Sequence, residues 1–186
     1  MSSGKKKRGS SSSSTNNVYL VIVCGIPGCG KSTFAKKVYS TQPGWLVVSQ
    51  DDLGSRQAVE KAMETALRKE VSVLLDRCNV NKKERAQWVR LARNNATNVI
   101  VEAVYLDVPV EECKQRVKKR QGHATLSDDQ DTDSVIDRFA RTVQPPQQRE
   151  GFANIYSIRD QSEMTKVLQT FKSKKLSPKG IKQCRR

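Results

Sequence analysis

The chain of 186 residues is long enough to bury a hydrophobic core, and its length fits one domain. Hydrophobic residues make up 36% of the chain, and no apolar run is long enough to span a bilayer, so we expect a soluble protein without a membrane partner. The five cysteines are scattered without a C-x-x-C pair, which argues against both a disulfide framework and a zinc site.

The formal net charge of +15 is concentrated at the two ends of the chain. Residues 1–16, MSSGKKKRGSSSSSTN, carry +4, and residues 172–186 carry +7, with no acidic residue in either segment. We therefore expect a disordered basic, Ser-rich arm at 1–16, a folded domain at 17–171 and a disordered basic tail at 172–186. The KKKR run predicts nuclear localisation, with the cytoplasm as the alternative.

From Val18 onward, short apolar strands alternate with helices. The predicted strands are Val18–Cys24, Trp45–Ser49, Val71–Asp76, Asn98–Leu106 and Phe152–Ile158. The predicted helices are Lys31–Tyr39, Arg56–Lys69, Lys82–Asn95, Val110–Arg120, Val135–Val143 and Ser162–Phe171, with a polar stretch at Gly122–Ser134. Continuous Val/Ile/Leu strands between helices predict an α/β fold of three layers around a mostly parallel five-stranded sheet. Functional residues are then expected at the carboxyl ends of the strands.

The sequence GIPGCGKS lies between the first strand and the first helix and fits the phosphate-loop pattern G-x-x-x-x-G-K-[ST]. In such a loop, backbone N–H groups and the N-terminus of the following helix surround the phosphates of a nucleotide. Lys31 is expected to reach the β- and γ-phosphates, and Ser32 to bind Mg²⁺. The residues expected to bind ATP or GTP are Gly25, Ile26, Pro27, Gly28, Cys29, Gly30, Lys31, Ser32 and Thr33. The loop predicts a P-loop NTPase kinase fold with phosphoryl transfer as its chemistry.

Acidic residues follow the second and third strands, at the edge of the sheet where the phosphate loop also lies. Asp51 can accept a proton from an attacking hydroxyl, and Asp76 faces the same crevice. The neighbouring Asp52 is assigned to capping of the next helix. The basic run RVKKR, from Arg116 to Arg120, precedes the polar stretch, so it is either a solvated helix face or a small lid whose arginines neutralise the transferred phosphoryl group.

Five segments in this order carry a family resemblance: GIPGCGKSTF, SQDDLGSRQ, LLDRCNVNKKERAQW, LDVPVEECKQRVKKRQGH and EGFANI. Together they resemble the polynucleotide 5′-hydroxyl kinases, in particular the kinase domain of the animal-type end-repair kinase/phosphatase, and they are similar to the kinase-like domain of plant aprataxin-type proteins. The resemblance runs from about Val18 to Ile158. The phosphate loop is common to many enzymes, whereas the D-x-L-G-S-x-Q and D-x-x-N-x-x-x-x-x-R segments are far more specific.

The resemblance implies a role for several residues of this chain. It makes Asp51 the general base for the 5′-hydroxyl group and Arg116 and Arg120 the lid arginines. It places Asp76, Asn79 and Arg85 in or near the acceptor pocket. Phage-type members have an arginine three residues after the base, and Gly54 stands there in this chain. The contact of that arginine with the acceptor phosphate is therefore either missing or moved, with Arg56 as the candidate.

The leading hypothesis is a monomeric kinase that transfers the γ-phosphate of ATP, as its Mg²⁺ complex, to the 5′-hydroxyl end of DNA or RNA in end repair. DNA ends are favoured over RNA ends as partners, and repair or ligation proteins are further expected partners. Two alternatives stay open. One is a small-metabolite or nucleoside kinase of the same fold, and the other is a nucleic-acid-binding module that uses the nucleotide as a switch with little turnover.

Overall fold

The computed structural model describes residues 17–42, 44–119 and 132–177. Its five strands are β1 (Val18–Cys24), β2 (Trp45–Ser49), β3 (Ser72–Asp76), β4 (Val99–Leu106) and β5 (Asn154–Ile158). They form one sheet in the order β2-β3-β1-β4-β5, and every neighbouring pair is parallel. The strand at the centre, β1, is buried along its whole length, as its unbroken apolar sequence predicts.

The helices are α1 (Lys31–Thr41), α2 (Gln50–Leu53), α3 (Arg56–Arg68), α4 (Lys82–Asn95), α5 (Val110–Lys118), α6 (Thr132–Thr142) and α7 (Gln161–Lys172), with a 3-10 turn at Gln148–Glu150. Side-chain caps begin three of them: Ser55 accepts from the Ala58 N–H, Asn81 from the Glu84 N–H and Asp160 from the Glu163 N–H. The assignment of Asp52 to capping is therefore wrong, because Ser55 caps α3.

Two apolar clusters cover the two faces of the sheet. On one face α1, α5, α6 and α7 contribute Phe34, Val38, Cys113, Val117, Ile136, Met164 and Phe171. On the other face α3 and α4 contribute Val59, Met63, Leu67, Trp88, Val89 and Ala92. The predicted three-layer α/β fold with five parallel strands is confirmed. Within the described residues, no helix combines the length and the apolar character that a membrane span needs.

The C-terminal segment corrects the predicted limit of the domain. The Lys174 ammonium group pairs with the buried Glu102 carboxylate at 2.9 Å and lies over the Tyr19 ring at 4.7 Å. Leu176 is buried and forms a parallel bridge with Asn17, ahead of β1. Residues 172–177 thus pack against the domain instead of starting a tail. The arm at 1–16 and the stretch 178–186 lie outside the described residues, so their disorder stays a prediction.

Candidate active site

The phosphate loop begins where β1 ends and continues into α1, so its position follows from the central strand of the sheet. Gly25 donates its N–H to the Cys78 carbonyl at 3.0 Å, which ties the start of the loop to the segment after β3. Gly30 ends the loop with a φ of +104°, a conformation that residues with a side chain rarely adopt. Gly28 has a second requirement, because a Cβ atom there would lie 2.5 Å from the Cys113 carbonyl of α5.

The Lys31 side chain folds back over its own loop. Its ammonium group donates to the Ile26 carbonyl at 2.8 Å and lies 3.9 Å from the Cys29 sulfur. Ser32 lies in the first turn of α1, where its hydroxyl contacts the Asp76 carboxyl group at the end of β3. Thr33 is exposed in the same turn. The loop and the end of β3 therefore bring a cation, a hydroxyl and a carboxyl group together.

A cavity of about 430 Å³ opens beside the loop. The loop contributes Pro27, Gly28, Gly30, Lys31 and Ser32, and the ends of β2 and β3 contribute Gln50, Asp51, Asp76, Arg77, Cys78, Asn79 and Val80. Glu84 of α4, Val117 of α5 and three residues of α6, Val135, Arg138 and Phe139, complete the wall. The predicted proton acceptor and the predicted phosphate-binding lysine thus line one cavity. Asp52 does not line it and faces a second cavity, beside α1 and β2.

Burial raises the pKa of Asp76 above its ordinary value of 3.8, against the opposing effects of the Ser32 contact and of Lys31. Asp51 and Asp52 raise the pKa further through repulsion between like charges. In P-loop enzymes, Mg²⁺ is held by the phosphate-loop serine together with a carboxyl group in this position. Among the residues that the structure describes, no group of three or more His, Cys, Asp or Glu side chains could hold a metal by itself. The donor set here fits a magnesium ion that arrives with a nucleotide.

The predicted role of Arg85 in acceptor binding is wrong. Its side chain is fully buried, and Nε and Nη2 each donate to the Glu150 carboxylate at 2.8 Å. Nη1 donates to the carbonyls of Asn79 and Gln144. The bidentate pair holds the turn at Gln148–Glu150 against α4, and it leaves no face of the guanidinium group toward a substrate.

Asn79 lines the cavity, but its amide group is already engaged. Nδ2 donates to the Val23 carbonyl at 2.8 Å, and Oδ1 accepts from the indole N–H of Trp88 at 3.1 Å. Its φ of +46° is a conformation that asparagine tolerates better than most residues. Asn79 therefore fixes the segment after β3 to the central strand, and the sequence-based assignment to substrate contact is corrected to positioning.

Two of the three predicted arginines, Arg116 and Arg56, are described by the structure, and they occupy different positions. Arg116 of α5 donates to the Cys29 carbonyl at 3.2 Å and pairs with Glu112, which holds it beside the phosphate loop. Arg56 is outside the cavity wall, where it pairs with Glu60 and lies over the Trp88 ring. Arg120 lies outside the described residues.

Sequence reasoning did not select Gln50, Arg77 or Arg138 as site residues, although all three line the cavity. Arg77 directly follows Asp76, so its place at a strand end was a usable signal. No sequence signal indicated Arg138, because only the packing of α6 against α5 brings it to the phosphate loop. Two ion pairs join these helices, Lys114 with Asp137 and Lys118 with Asp133.

A strand-to-helix phosphate loop, a lysine and a serine at its end and carboxyl groups on the neighbouring strands define a P-loop nucleotide-binding domain of kinase type. A family profile described as AAA domain matches residues 20–146, more than half of the chain. The chain belongs to this AAA domain family.

Two curated relatives share about three quarters of the chain. The chain is 32% identical over 142 residues to a protein of Arabidopsis thaliana named transcription factor bHLH140. The aligned region covers 73% of this chain and 15% of that protein. It is 29% identical over 139 residues to the bifunctional polynucleotide phosphatase/kinase of Schizosaccharomyces pombe, and the aligned region covers 75% of this chain and 33% of that protein. The chain thus spans a third or less of the length of these relatives. The resemblance to polynucleotide kinases that the motifs indicated is confirmed.

Solved structures share the fold. A fungal RNA kinase superposes with a TM-score of 0.67 at 19% identity, covering 91% of this chain and 95% of that one. A chain of the Pnkp1/Rnl/Hen1 RNA repair complex superposes with a TM-score of 0.58 at 23% identity, covering 72% and 46%. At these identities the superpositions establish a kinase-type P-loop fold.

Proposed function

We propose that the protein is a polynucleotide 5′-hydroxyl kinase, which transfers the γ-phosphate of ATP to the 5′-hydroxyl end of DNA or RNA. The observation that carries the proposal is that Lys31, Ser32, Asp51 and Asp76 all line one cavity. A triphosphate on the loop and a hydroxyl group beside Asp51 would then share one enclosed space. The polynucleotide kinase among the relatives supports the nature of the acceptor.

Each residue has a distinct task in this reaction. Lys31 neutralises the negative charge of the β- and γ-phosphates, and the loop N–H groups hold their oxygens. Asp51 accepts the proton of the 5′-hydroxyl group as the hydroxyl oxygen attacks the γ-phosphorus. The bond from the γ-phosphorus to the β,γ-bridging oxygen breaks, and ADP leaves. Ser32 and Asp76 would hold Mg²⁺, which would supply positive charge against the phosphates. Arg116, next to the loop, and Arg120 are the proposed lid arginines.

Two alternatives make different predictions. A small-metabolite or nucleoside kinase of the same fold would phosphorylate a free small molecule in preference to a strand end. A nucleotide-gated nucleic-acid-binding module would bind strands in a nucleotide-dependent way with little turnover. Neither alternative transfers phosphate efficiently to the 5′-hydroxyl end of a strand, so one transfer assay separates both from the proposal.

The test is transfer of label from γ-labelled ATP to 5′-hydroxyl DNA and RNA oligonucleotides of the same sequence, with 5′-phosphorylated strands as the control. We expect label on the 5′-hydroxyl strands alone, and GTP in place of ATP reports the choice of donor. Lys31→Ala should lower turnover by about 100-fold or more, since electrostatic stabilisation of this kind contributes about 3 kcal/mol. Turnover of this variant within tenfold of wild type would contradict the assignment of the loop.

We also propose a nuclear protein that acts with repair or ligation proteins on DNA ends more than on RNA ends. The KKKR run at residues 5–8 motivates the location. A fluorescent fusion in which these four residues are replaced by Ser should lose nuclear enrichment. An unchanged distribution would argue for the cytoplasmic alternative.

A further inference from the structure

Two cysteines meet at the ammonium group of Lys31. Its Nζ atom lies 3.9 Å from the Cys29 sulfur in the phosphate loop, and it also contacts the Cys78 thiol in the segment after β3. The two thiols are close enough to interact electrostatically with each other. Two cysteines that are distant in the sequence thus bring their sulfur atoms to the side chain that faces the nucleotide phosphates.

The backbone around Gly25 holds the two cysteines in this arrangement. Gly25 donates its N–H to the Cys78 carbonyl at 3.0 Å. The Cys29 sulfur packs against the same glycine, where a Cβ atom would lie only 2.6 Å from it. Both cysteines therefore contact Gly25, Cys29 through its side chain and Cys78 through its carbonyl group.

The two cysteines differ in their access to the cavity. Cys78 lines the cavity and is half-buried, whereas the Cys29 side chain is fully buried. Burial also raises the pKa of the Cys29 thiol, so Cys29 is not the first site of attack. Because oxidation of a cysteine depends on its exposure, a small oxidant that enters the cavity reacts with Cys78 first. Cys29 is then the second thiol within reach.

The other two cysteines that the structure describes lack these properties. The Cys24 thiol donates to the Ile22 carbonyl at 3.6 Å, and the Cys113 thiol donates to the Val108 carbonyl at 3.8 Å. Burial raises the pKa of both thiols to about 12, and neither residue lines the cavity. Buried thiols of this kind are inert, so their role is packing in the core.

We propose that Cys78 is an oxidation site, and that its reaction with hydrogen peroxide leads to a disulfide with Cys29 that closes the nucleotide site. The Cys78 sulfur attacks one peroxide oxygen, the O–O bond breaks, and Cys78 becomes a sulfenic acid as one water leaves. The Cys29 sulfur then attacks the Cys78 sulfur, the S–O bond breaks, and a second water leaves with the Cys29 proton. The two thiols lose two electrons in total, and these electrons reduce the peroxide to water.

The disulfide changes the phosphate loop at its centre. It ties Cys29 to the segment after β3, which moves the loop N–H groups away from the positions that hold phosphate oxygens. Arg116 donates to the Cys29 carbonyl, so a movement of Cys29 also displaces this arginine. The oxidised protein therefore binds ATP more weakly. By linkage, bound ATP opposes formation of the disulfide.

The experiment compares the reduced full chain with the same chain after treatment with hydrogen peroxide. Peptide mapping by mass spectrometry without reductant should find the Cys29 and Cys78 peptides joined. The dissociation constant of a fluorescent ATP analogue should rise by about tenfold or more, the effect of losing hydrogen bonds to charged phosphate, and dithiothreitol should restore it. ATP added before the peroxide should slow formation of the disulfide.

Three variants test the order of the two steps, each compared with its own reduced form. Cys78→Ser removes the first site, so peroxide should leave its dissociation constant unchanged. Cys29→Ser removes the second thiol, so the sulfenic acid on Cys78 should persist and react with dimedone. Cys113→Ala is the matched control, because it removes a buried thiol outside the proposed pair, and it should keep the full response to peroxide. Melting temperatures report the folding of all three.

A response to peroxide that survives in Cys78→Ser overturns the inference, and so does a wild-type peptide map in which Cys29 is joined to Cys113. Should Cys78→Ser fail to fold, the wild-type peptide map decides alone, and the absence of the Cys29–Cys78 pair overturns the inference. Both readouts use the protein and a nucleotide without any acceptor. Their outcome is therefore independent of the proposed function, which only the transfer assay tests.

Discussion

Asp51 and Asp52 are adjacent in the first turn of α2, yet only Asp51 lines the cavity of the phosphate loop. Asp51→Asn is expected to lower kcat by about 10²–10⁴-fold, the usual range for a general base, with little change in ATP affinity. Asp52→Asn is the matched control, since it removes the same charge one residue away. Steady-state kinetics with a 5′-hydroxyl oligonucleotide measure both. A larger loss in Asp52→Asn would mean that the turn presents the other carboxylate.

Asp76 is a proposed magnesium ligand, and its burial as a charged carboxylate destabilises the folded protein. Because burial raises its pKa, the folded protein binds this proton more tightly than the unfolded chain does. The contribution of the protonated group is present below the unfolded-state value of 3.8, and it is lost as the pH rises through the raised pKa. The melting temperature of Asp76→Asn minus that of wild type should therefore increase between pH 3.5 and 7, in the absence of nucleotide and magnesium.

The same variant should lose magnesium-dependent transfer activity, because the amide has no charge for the metal. Glu111→Gln, which removes an exposed carboxylate of α5, serves as the control for the pH profile. Identical profiles for Asp76→Asn and wild type would show that the buried carboxyl group carries no such penalty.

At the scale of elements, α5 and α6 form one wall of the cavity, and each helix contributes an arginine near the phosphate loop. Arg116 of α5 reaches the carbonyl of Cys29, and Arg138 of α6 lines the cavity itself. Arg116→Ala and Arg138→Ala are each expected to lower kcat by about 10²-fold with a smaller effect on acceptor KM, since charge at the transferred group is greatest in the transition state. Arg141→Ala, an exposed residue of α6, should retain activity. Effects confined to acceptor KM would assign the arginines to acceptor binding.

Hydrophobic patterns in the sequence did not predict two features of the helices, namely α2 and the start of α6. The helix α2 spans only four residues and has no buried residue, so the hydrophobic period that indicates a helix cannot develop there. The helix α6 begins at Thr132, in a stretch predicted to be a polar loop, because its first residues are polar and Asp133 faces α5, where it pairs with Lys118. For the remaining helices, the apolar spacing was sufficient.

At the scale of the whole molecule, residues 172–177 pack against the sheet through Lys174. Lys174 neutralises Glu102 of β4, whose side chain is 1% exposed, and Asn154 and Tyr156 of β5 donate to the same carboxylate. Lys174→Met should lower the free energy of unfolding by about 3–5 kcal/mol, because it leaves a buried charge without its partner. Lys175→Met, its exposed neighbour, should change it by less than about 0.5 kcal/mol. Urea denaturation measures both, and equal stabilities of the two variants would contradict the structural role of Lys174.

The sequence by itself determined the phosphate loop, the parallel sheet and the acidic residues at the strand ends. These features are local, since a glycine-rich turn between a strand and a helix, and an acid directly after a strand, have fixed positions once the strands are parallel. Asp51 and Asp76 were therefore predictable without a partner residue.

Only the tertiary structure decided what each arginine does. Arg85 pairs with Glu150, 65 residues away in sequence, while Arg77 forms no ion pair within the described residues and lines the cavity. In the sequence the two are equivalent cations near one another on the same segment. Whether a guanidinium group is neutralised in the core or left for a ligand depends on which distant carboxylate the packing brings within reach, and no local pattern records that distance.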